Sequence, residues 1–203
     1  MQIDRLLYPI TTLGPGERLV IWTVGCSKHC EKCANPELWR QTQSKDVEVA
    51  QLIHHLKKSL GESKIDGVTI TGGDPLEQIA ELNKLLPLLK EITDDILVFT
   101  GFTIGEAKAA IPHDEWDRLE QNISVLIDGT YIDDLNDNEC ALRGSTNQKV
   151  IFFDDSQKEK YFDYMKKGRV IQNVFHENKI ISVGIHGKEH KTTGGKSVGE
   201  ADA

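Results

Sequence analysis

"ERLVIWTVGCSKHCEKC", residues 17–33, runs from an apolar stretch straight into three cysteines spaced C-x3-C-x2-C. Leu19, Val20, Ile21 and Trp22 are apolar in succession, the pattern of a strand covered on both faces. Cys26, Cys30 and Cys33 follow before any helix signal, so the thiols sit on the loop that leaves this strand.

Downstream, "KDVEVAQLIHHLKKSL" (45–60) places Val49, Leu52, Ile53, Leu56 and Leu60 on one helical face, with Ser44 or Asp46 as N-cap and Gly61 just past the end. "DGVTIT" (66–71) reads as a second strand, and "EQIAELNKLLPLLKEI" (77–92) as a second helix that Pro87 is placed to kink. "ILVFT" (96–100), "ISVLID" (123–128) and "KVIFF" (149–153) supply three more strands, with helical segments around 103–121 between them. Residues 155–169 read as a helix, and 170–185 as an antiparallel pair turning near Glu177 and Asn178. This alternation predicts an α/β fold with a parallel sheet and right-handed crossovers, either doubly wound or part of a β/α barrel. In both, chemistry gathers at the carboxyl ends of the strands. Cys26, "TGGDP", "TGF" and "DGTY" each fall at such an end.

With 203 residues, 38% of them apolar, the chain supports one well-buried domain, here 1–185; the polar, glycine-rich 186–203 reads as a flexible tail. No apolar run reaches membrane-spanning length, and "MQIDRLLYPI" lacks the basic and apolar parts of a signal peptide, so a cytoplasmic protein is expected. A net charge of −8 argues against a nucleic-acid partner, which needs clustered Lys and Arg. In a reducing compartment, crowded cysteines point to a metal or redox role before a disulfide framework.

Three thiolates on one loop can hold a cubane cluster while leaving its fourth iron without a protein ligand. A structural zinc ion wants four closed ligands, of which this stretch supplies three; His29 is awkwardly adjacent to Cys30, and Cys140 is remote. Cys140 reads as an ordinary buried or loop cysteine. In "TITGGDPLEQ" (69–78), Gly72 and Gly73 permit close backbone approach to a ligand. They equally suit a tight turn in which Asp74 caps the following helix and Pro75 opens it. His54 and His55 point in different directions from one helix and read as a solvated face. His176, His186 and His190 carry no assignment, and the "KLLPLLK" leucines read as core.

C-x3-C-x2-C after a first strand with "GGDP" after the next resembles the radical S-adenosylmethionine (SAM) superfamily. That resemblance implies a partial β/α barrel, a [4Fe-4S] cluster on Cys26, Cys30 and Cys33, and SAM on the open iron. It implies reductive cleavage of SAM to a 5'-deoxyadenosyl radical, with no side chain acting as the catalytic group. Gly72, Gly73 and Asp74 match the motif that receives the SAM amino group. The superfamily often has an aromatic residue just before the third cysteine, where this chain has Lys32. Asn35, Trp39, "FTGF" (99–102), "VLIDGTY" (125–131) and "LRGSTNQKVI" (142–151) are similar, in order, to the activating enzymes of glycyl-radical proteins, above all the group serving anaerobic ribonucleotide reductase.

On that likeness Thr100 and Gly101 approach SAM, and Asp128 binds a monovalent cation or orders the pocket, against a plain turn role before Gly129. Arg143 suits the SAM carboxylate, since a guanidinium matches a carboxylate bidentately. Ser145, Asn147 and Gln148 either meet the SAM carboxylate or ribose or fix the loop through backbone hydrogen bonds, and read rather as loop-fixing residues. The implied substrate is a glycine Cα of a partner reductase, and the implied reductant is an electron donor such as flavodoxin or ferredoxin. Alternatives are a radical SAM enzyme acting on a small molecule and a noncatalytic iron-sulfur or zinc protein.

Overall fold

The computed structural model describes residues 1–61 and 64–188. Most of the segment read as a tail, 189–203, including His190, lies outside the described residues. Six strands, β1 (Ile3–Ile10), β2 (Arg18–Thr23), β3 (Gly67–Gly72), β4 (Ile96–Phe99), β5 (Val125–Asp128) and β6 (Lys149–Phe152), form one sheet in sequential order. β2 to β5 are mutually parallel; the edge strands β1 and β6 run antiparallel to their neighbours.

The helices α1 (Val49–Leu60), α2 (Ile79–Lys90), α3 (Ile104–Ala110) and α4 (His113–Asn122) make the crossovers. Residues of all four, Leu52, Leu86, Ala107 and Leu119 among them, pack with Ile21, Ile70, Val98 and Leu126 in a single core. Alternate strand residues point the other way, where Val20 and Trp22 meet one cluster and Leu97, Val125 and Ile127 another. All crossover helices therefore lie on one face of a sheet with no switch point, which removes the doubly wound alternative. The second face is covered by α5 (Lys158–Met165), through Tyr161, and by the hairpin of β7 (Gln172–His176) and β8 (Lys179–Val183), through Val174, Ile181 and Val183. The hairpin turns at Glu177 and Asn178, both at positive φ as a tight two-residue turn requires.

Three expectations need correction. α1 begins after Glu48, which makes no side-chain cap bond; Asp46 is instead held extended in a bridge with Gln2, so neither it nor Ser44 caps the helix. Strand "KVIFF" is antiparallel, because residues 129–148 contain no crossover helix and return the chain at the end where β5 leaves it. The opening residues form β1, which the sequence reading left without an element. The helical segments read around 103–121 are α3 and α4, parted at Ile111 and Pro112.

At the amino ends of the parallel strands Arg18 is fully buried. It donates to Asp95 Oδ2, Val68 O and Thr69 Oγ1, each at 2.7 Å. Tyr161 OH donates to Asp95 Oδ1 at 2.7 Å, and Lys160 Nζ lies 2.7 Å from Asp95 Oδ2. Burial pushes Asp95 up, but Arg18 and these donors outweigh it and hold the carboxyl below the ordinary range. Helix α5 is thereby tied to β2, β3 and the start of β4.

Candidate functional site

β2 delivers Gly25 and Cys26 to the opposite end of the sheet. Gly25 N donates to Leu38 O at 2.8 Å and Cys26 N to Trp39 O at 3.0 Å, so the cysteine loop is closed at its base. Within it His29 (φ 44°) and Lys32 (φ 56°) adopt left-handed conformations, and Cys33 N donates to Cys30 O at 3.2 Å. Each such non-glycine residue costs about 1–2 kcal/mol, which the closed base and the neighbouring loops sustain. The reversals coil the backbone, leaving all three thiols half-buried at the surface, while the His29 ring lies 4.8 Å from that of Trp39.

The glycines after β3 have a specific steric reason. A side chain at Gly73 would overlap the Gly25 carbonyl oxygen, and one at Gly72, where φ is 109°, would strike the Thr23 backbone. Their absence lets Gly73 N reach Thr23 O at 2.8 Å and Asp74 N reach Gly25 O at 2.6 Å, so this turn braces the cysteine loop. Glu77 and Gln78, in the 3-10 turn Pro75–Gln78, brace it further: Glu77 accepts from Ser27 N, and Gln78 Nε2 donates to Val24 O at 2.9 Å.

Asp74 joins this layer to the next. Its carboxylate accepts from Leu76 N at 3.1 Å, as the capping reading expects, and also from Thr100 Oγ1 (2.8 Å) and Gly101 N (2.8 Å) beyond β4. Burial pushes its pKa up to about 6 against the opposing hydrogen bonds from Gly101, Thr100 and Leu76. Lys28, from the cysteine loop, lies along Gly101 with Nζ 4.1 Å from the Phe102 ring centroid and 3.4 Å from Glu106 Oε1. Thr130 Oγ1 donates to Gly101 O at 2.8 Å, completing contact from the β2 loop to the β5 loop.

Asp128, at the end of β5, is buried and accepts from Ile104 N (2.9 Å) and Lys149 N (3.1 Å), fixing the start of α3 and of β6. Arg143 donates to Gln148 O at 3.0 Å and lies 3.2 Å from Cys140 Sγ, within its own loop. Ser145 Oγ accepts from Ile132 N, Asn147 Nδ2 donates to Thr130 O, and Gln148 Nε2 donates to Gly129 O. Those three fix the loop. His54 and His55 are exposed, and Leu85, Leu86 and Leu89 are core, as read from the sequence.

Burial pushes the Cys26 thiol up to about 11; backbone hydrogen bonds from Lys28 and His29 oppose the shift, and Asp74 and Glu77 add to it. Cys30 is raised for the same first reason and opposed by a backbone hydrogen bond from Tyr131. These thiols are protonated at neutral pH, so a metal centre that binds them must displace protons. Among the described residues no three His, Cys, Asp or Glu side chains converge on one point as a single-ion site. Cluster ligands bind different irons and need no common point, and backbone N–H groups directed at sulfur suit thiolates that carry cluster charge. The donor set fits an iron-sulfur cluster.

A family profile described as "4Fe-4S single cluster domain" matches residues 12–151, which contain every site residue named above. The chain belongs to that family. Its relatives include anaerobic ribonucleoside-triphosphate reductase-activating proteins: that of Escherichia coli K12 is 32% identical over 151 residues, 70% of this chain and 94% of the relative. That of Pasteurella multocida is 34% identical over 152 residues (69% and 90%), and that of phage T4 31% over 155 residues (74% and 93%). At these levels the chain is also a member of the reductase-activating group. The crystal structure of QueE from Escherichia coli overlaps 50% of this chain and 52% of its own at 20% identity, with a TM-score of 0.40, too partial to speak for the site.

Within this 4Fe-4S single cluster domain, the site residues Lys28, Glu77 and Gln78 are not announced by the sequence. Each is a charged or amide residue whose partner is distant in sequence. Only the "EQ" following "GGDPL" gave a usable signal, as polar residues on the first turn of a helix that faces the cysteine loop.

Proposed function

We infer that this chain is a radical SAM activating enzyme that installs a glycyl radical on a partner anaerobic ribonucleotide reductase. The observation that carries the reading is the three-thiol loop, braced by Gly73 and Asp74 at the carboxyl end of a sequential sheet, in a chain of the reductase-activating group. Cys26, Cys30 and Cys33 would hold a [4Fe-4S] cluster, and Gly72, Gly73, Asp74, Thr100 and Arg143 would line the SAM site. Bound together, cluster and SAM would supply one-electron chemistry able to remove a hydrogen atom from a glycine Cα.

The chain's own work is positional. The cysteine loop presents thiols with their backbone reversals already formed, and Asp74 aligns the β3 and β4 loops. Asp128 either orders the pocket or binds a monovalent cation. The one-sided, sequential sheet supports reading 1–185 as a single partial barrel; the electron donor would be a flavodoxin- or ferredoxin-like protein. No described helix is long and apolar enough to cross a membrane.

The test is anaerobic reconstitution followed by reduction. The reading expects 5'-deoxyadenosine from SAM and, on adding the anaerobic reductase, a glycyl radical by electron paramagnetic resonance. A well-assembled cluster that leaves SAM intact overturns it.

A further inference from the structure

The mechanism leaves unexplained a buried guanidinium outside the family-matched 12–151. Arg169 follows α5, and its side chain is 8% exposed. It donates to Cys140 O (3.0 Å), Arg143 O (3.0 Å), Asn136 Oδ1 (2.8 Å) and His186 O (2.9 Å). One side chain thus gathers the β5–β6 loop and the chain leaving the β7–β8 hairpin.

From Asn136 the bonding continues toward the cysteines. Asn136 Nδ2 donates to Tyr131 OH at 3.1 Å, and Tyr131 OH donates to Asp133 Oδ1 at 2.7 Å. Asp133 Oδ2 pairs with Lys32 Nζ, from the residue immediately before Cys33, and the Tyr131 backbone hydrogen-bonds to the Cys30 sulfur. Lys32 is also one of the two cysteine-loop residues, with His29, bent to positive φ. A strained loop keeps its shape only where its surroundings over-determine it, and this connection supplies that constraint on the side away from Gly73.

We propose that Arg169 is a positioning residue: acting through Asn136, Tyr131 and Asp133, it holds Lys32 and with it the Cys30–Cys33 turn in the conformation that receives the cluster. The segment after 151 then acts on the metal loop as well as covering the sheet. The proposal rests on the iron-sulfur reading for its purpose, although its geometry stands in the metal-free protein.

The test measures alkylation of each cysteine by iodoacetamide in reduced, metal-free full-length protein, resolved by peptide mass spectrometry. Arg169→Lys keeps the charge but loses the planar fork, and should speed modification of Cys30 and Cys33 roughly tenfold. Asp133→Asn, on the surface, should speed the same two about two- to fivefold, the range of an exposed ion pair. Cys26, whose backbone is fixed to Trp39, should hold its rate in both variants. Combining the two should add little beyond Arg169→Lys alone, since both cut one connection. Unchanged Cys30 and Cys33 rates in Asp133→Asn, or equal acceleration of all cysteines in a folded Arg169→Lys, overturn the proposal. A separate arm asks whether reconstitution with iron and sulfide shields Cys26, Cys30 and Cys33. Failure there overturns the cluster reading and leaves the positional result standing.

Discussion

The two ends of the central sheet are built on opposite terms. At the amino end, Arg18, Asp95 and Tyr161 are buried charges and donors matched at 2.7 Å, with no left-handed non-glycine residue at those positions. At the carboxyl end the thiols are half-buried, His29 and Lys32 sit at positive φ in the cysteine loop, and Cys26, Cys30 and Asp74 are all raised by burial. Groups whose ionisation burial opposes cluster at sites that carry chemistry. The contrast teaches that this fold fixes its strands at the end remote from chemistry, which frees the other end to carry strain.

Breaking each end should have reciprocal results. Arg18→Ala strands Asp95 with Lys160 as its remaining cation, and should lower the unfolding free energy by about 3–5 kcal/mol in a urea titration. The folded fraction should still take up iron and sulfide normally. Cys33→Ala should abolish the cluster absorbance altogether while changing the stability of the metal-free protein by no more than about 0.5 kcal/mol. If Arg18→Ala removed the cluster from folded protein, or Cys33→Ala unfolded the chain, the division between the ends would fail. Gly73→Ala tests their junction. Its methyl group overlaps the Gly25 carbonyl, so it should cost about 1–3 kcal/mol by thermal melting and also lower cluster yield, because the displaced backbone is the base of the cysteine loop.

The same contrast explains what was readable in the sequence. Apolar runs such as 19–22 and 96–99 announce strands because burial on both faces demands them, and the three cysteines and two glycines announce the site because few other residues serve there. β1 escaped because it is an edge strand whose half-buried residues mix Asp4 and Arg5 with leucines. The reversal of β6 escaped because direction depends on where a helix-free connection ends, which local pattern does not record. Arg18, Asp95 and Tyr161 lie 77 and 66 residues apart along the chain, so each alone looks like an ordinary polar residue beside an element. Gly73 was legible as a close approach, but its partner proved to be the Gly25 backbone.

The smallest effect sets a carboxylate at one end against a carboxylate at the other. Asp74 has its pKa raised to about 6 from an ordinary 3.8, so between those values the folded metal-free protein holds a proton that the unfolded chain releases. Stability from this group therefore rises as pH falls from above 6 toward 4, by about 1–3 kcal/mol. Asp95 works in the reverse sense: its lowered pKa gives stability that is complete above the ordinary carboxylate value and is lost as pH falls through the depressed one. Together they should place a stability maximum between about pH 4 and 6 in urea unfolding of the metal-free protein. Asp74→Asn should flatten the limb above the maximum and leave the acid limb, whereas Asp95→Asn should weaken the acid limb and spare the other. An upper limb that survives Asp74→Asn would mean that the carboxyl joining the β3 and β4 loops is not held as the geometry requires, and that the strain at this end is carried elsewhere.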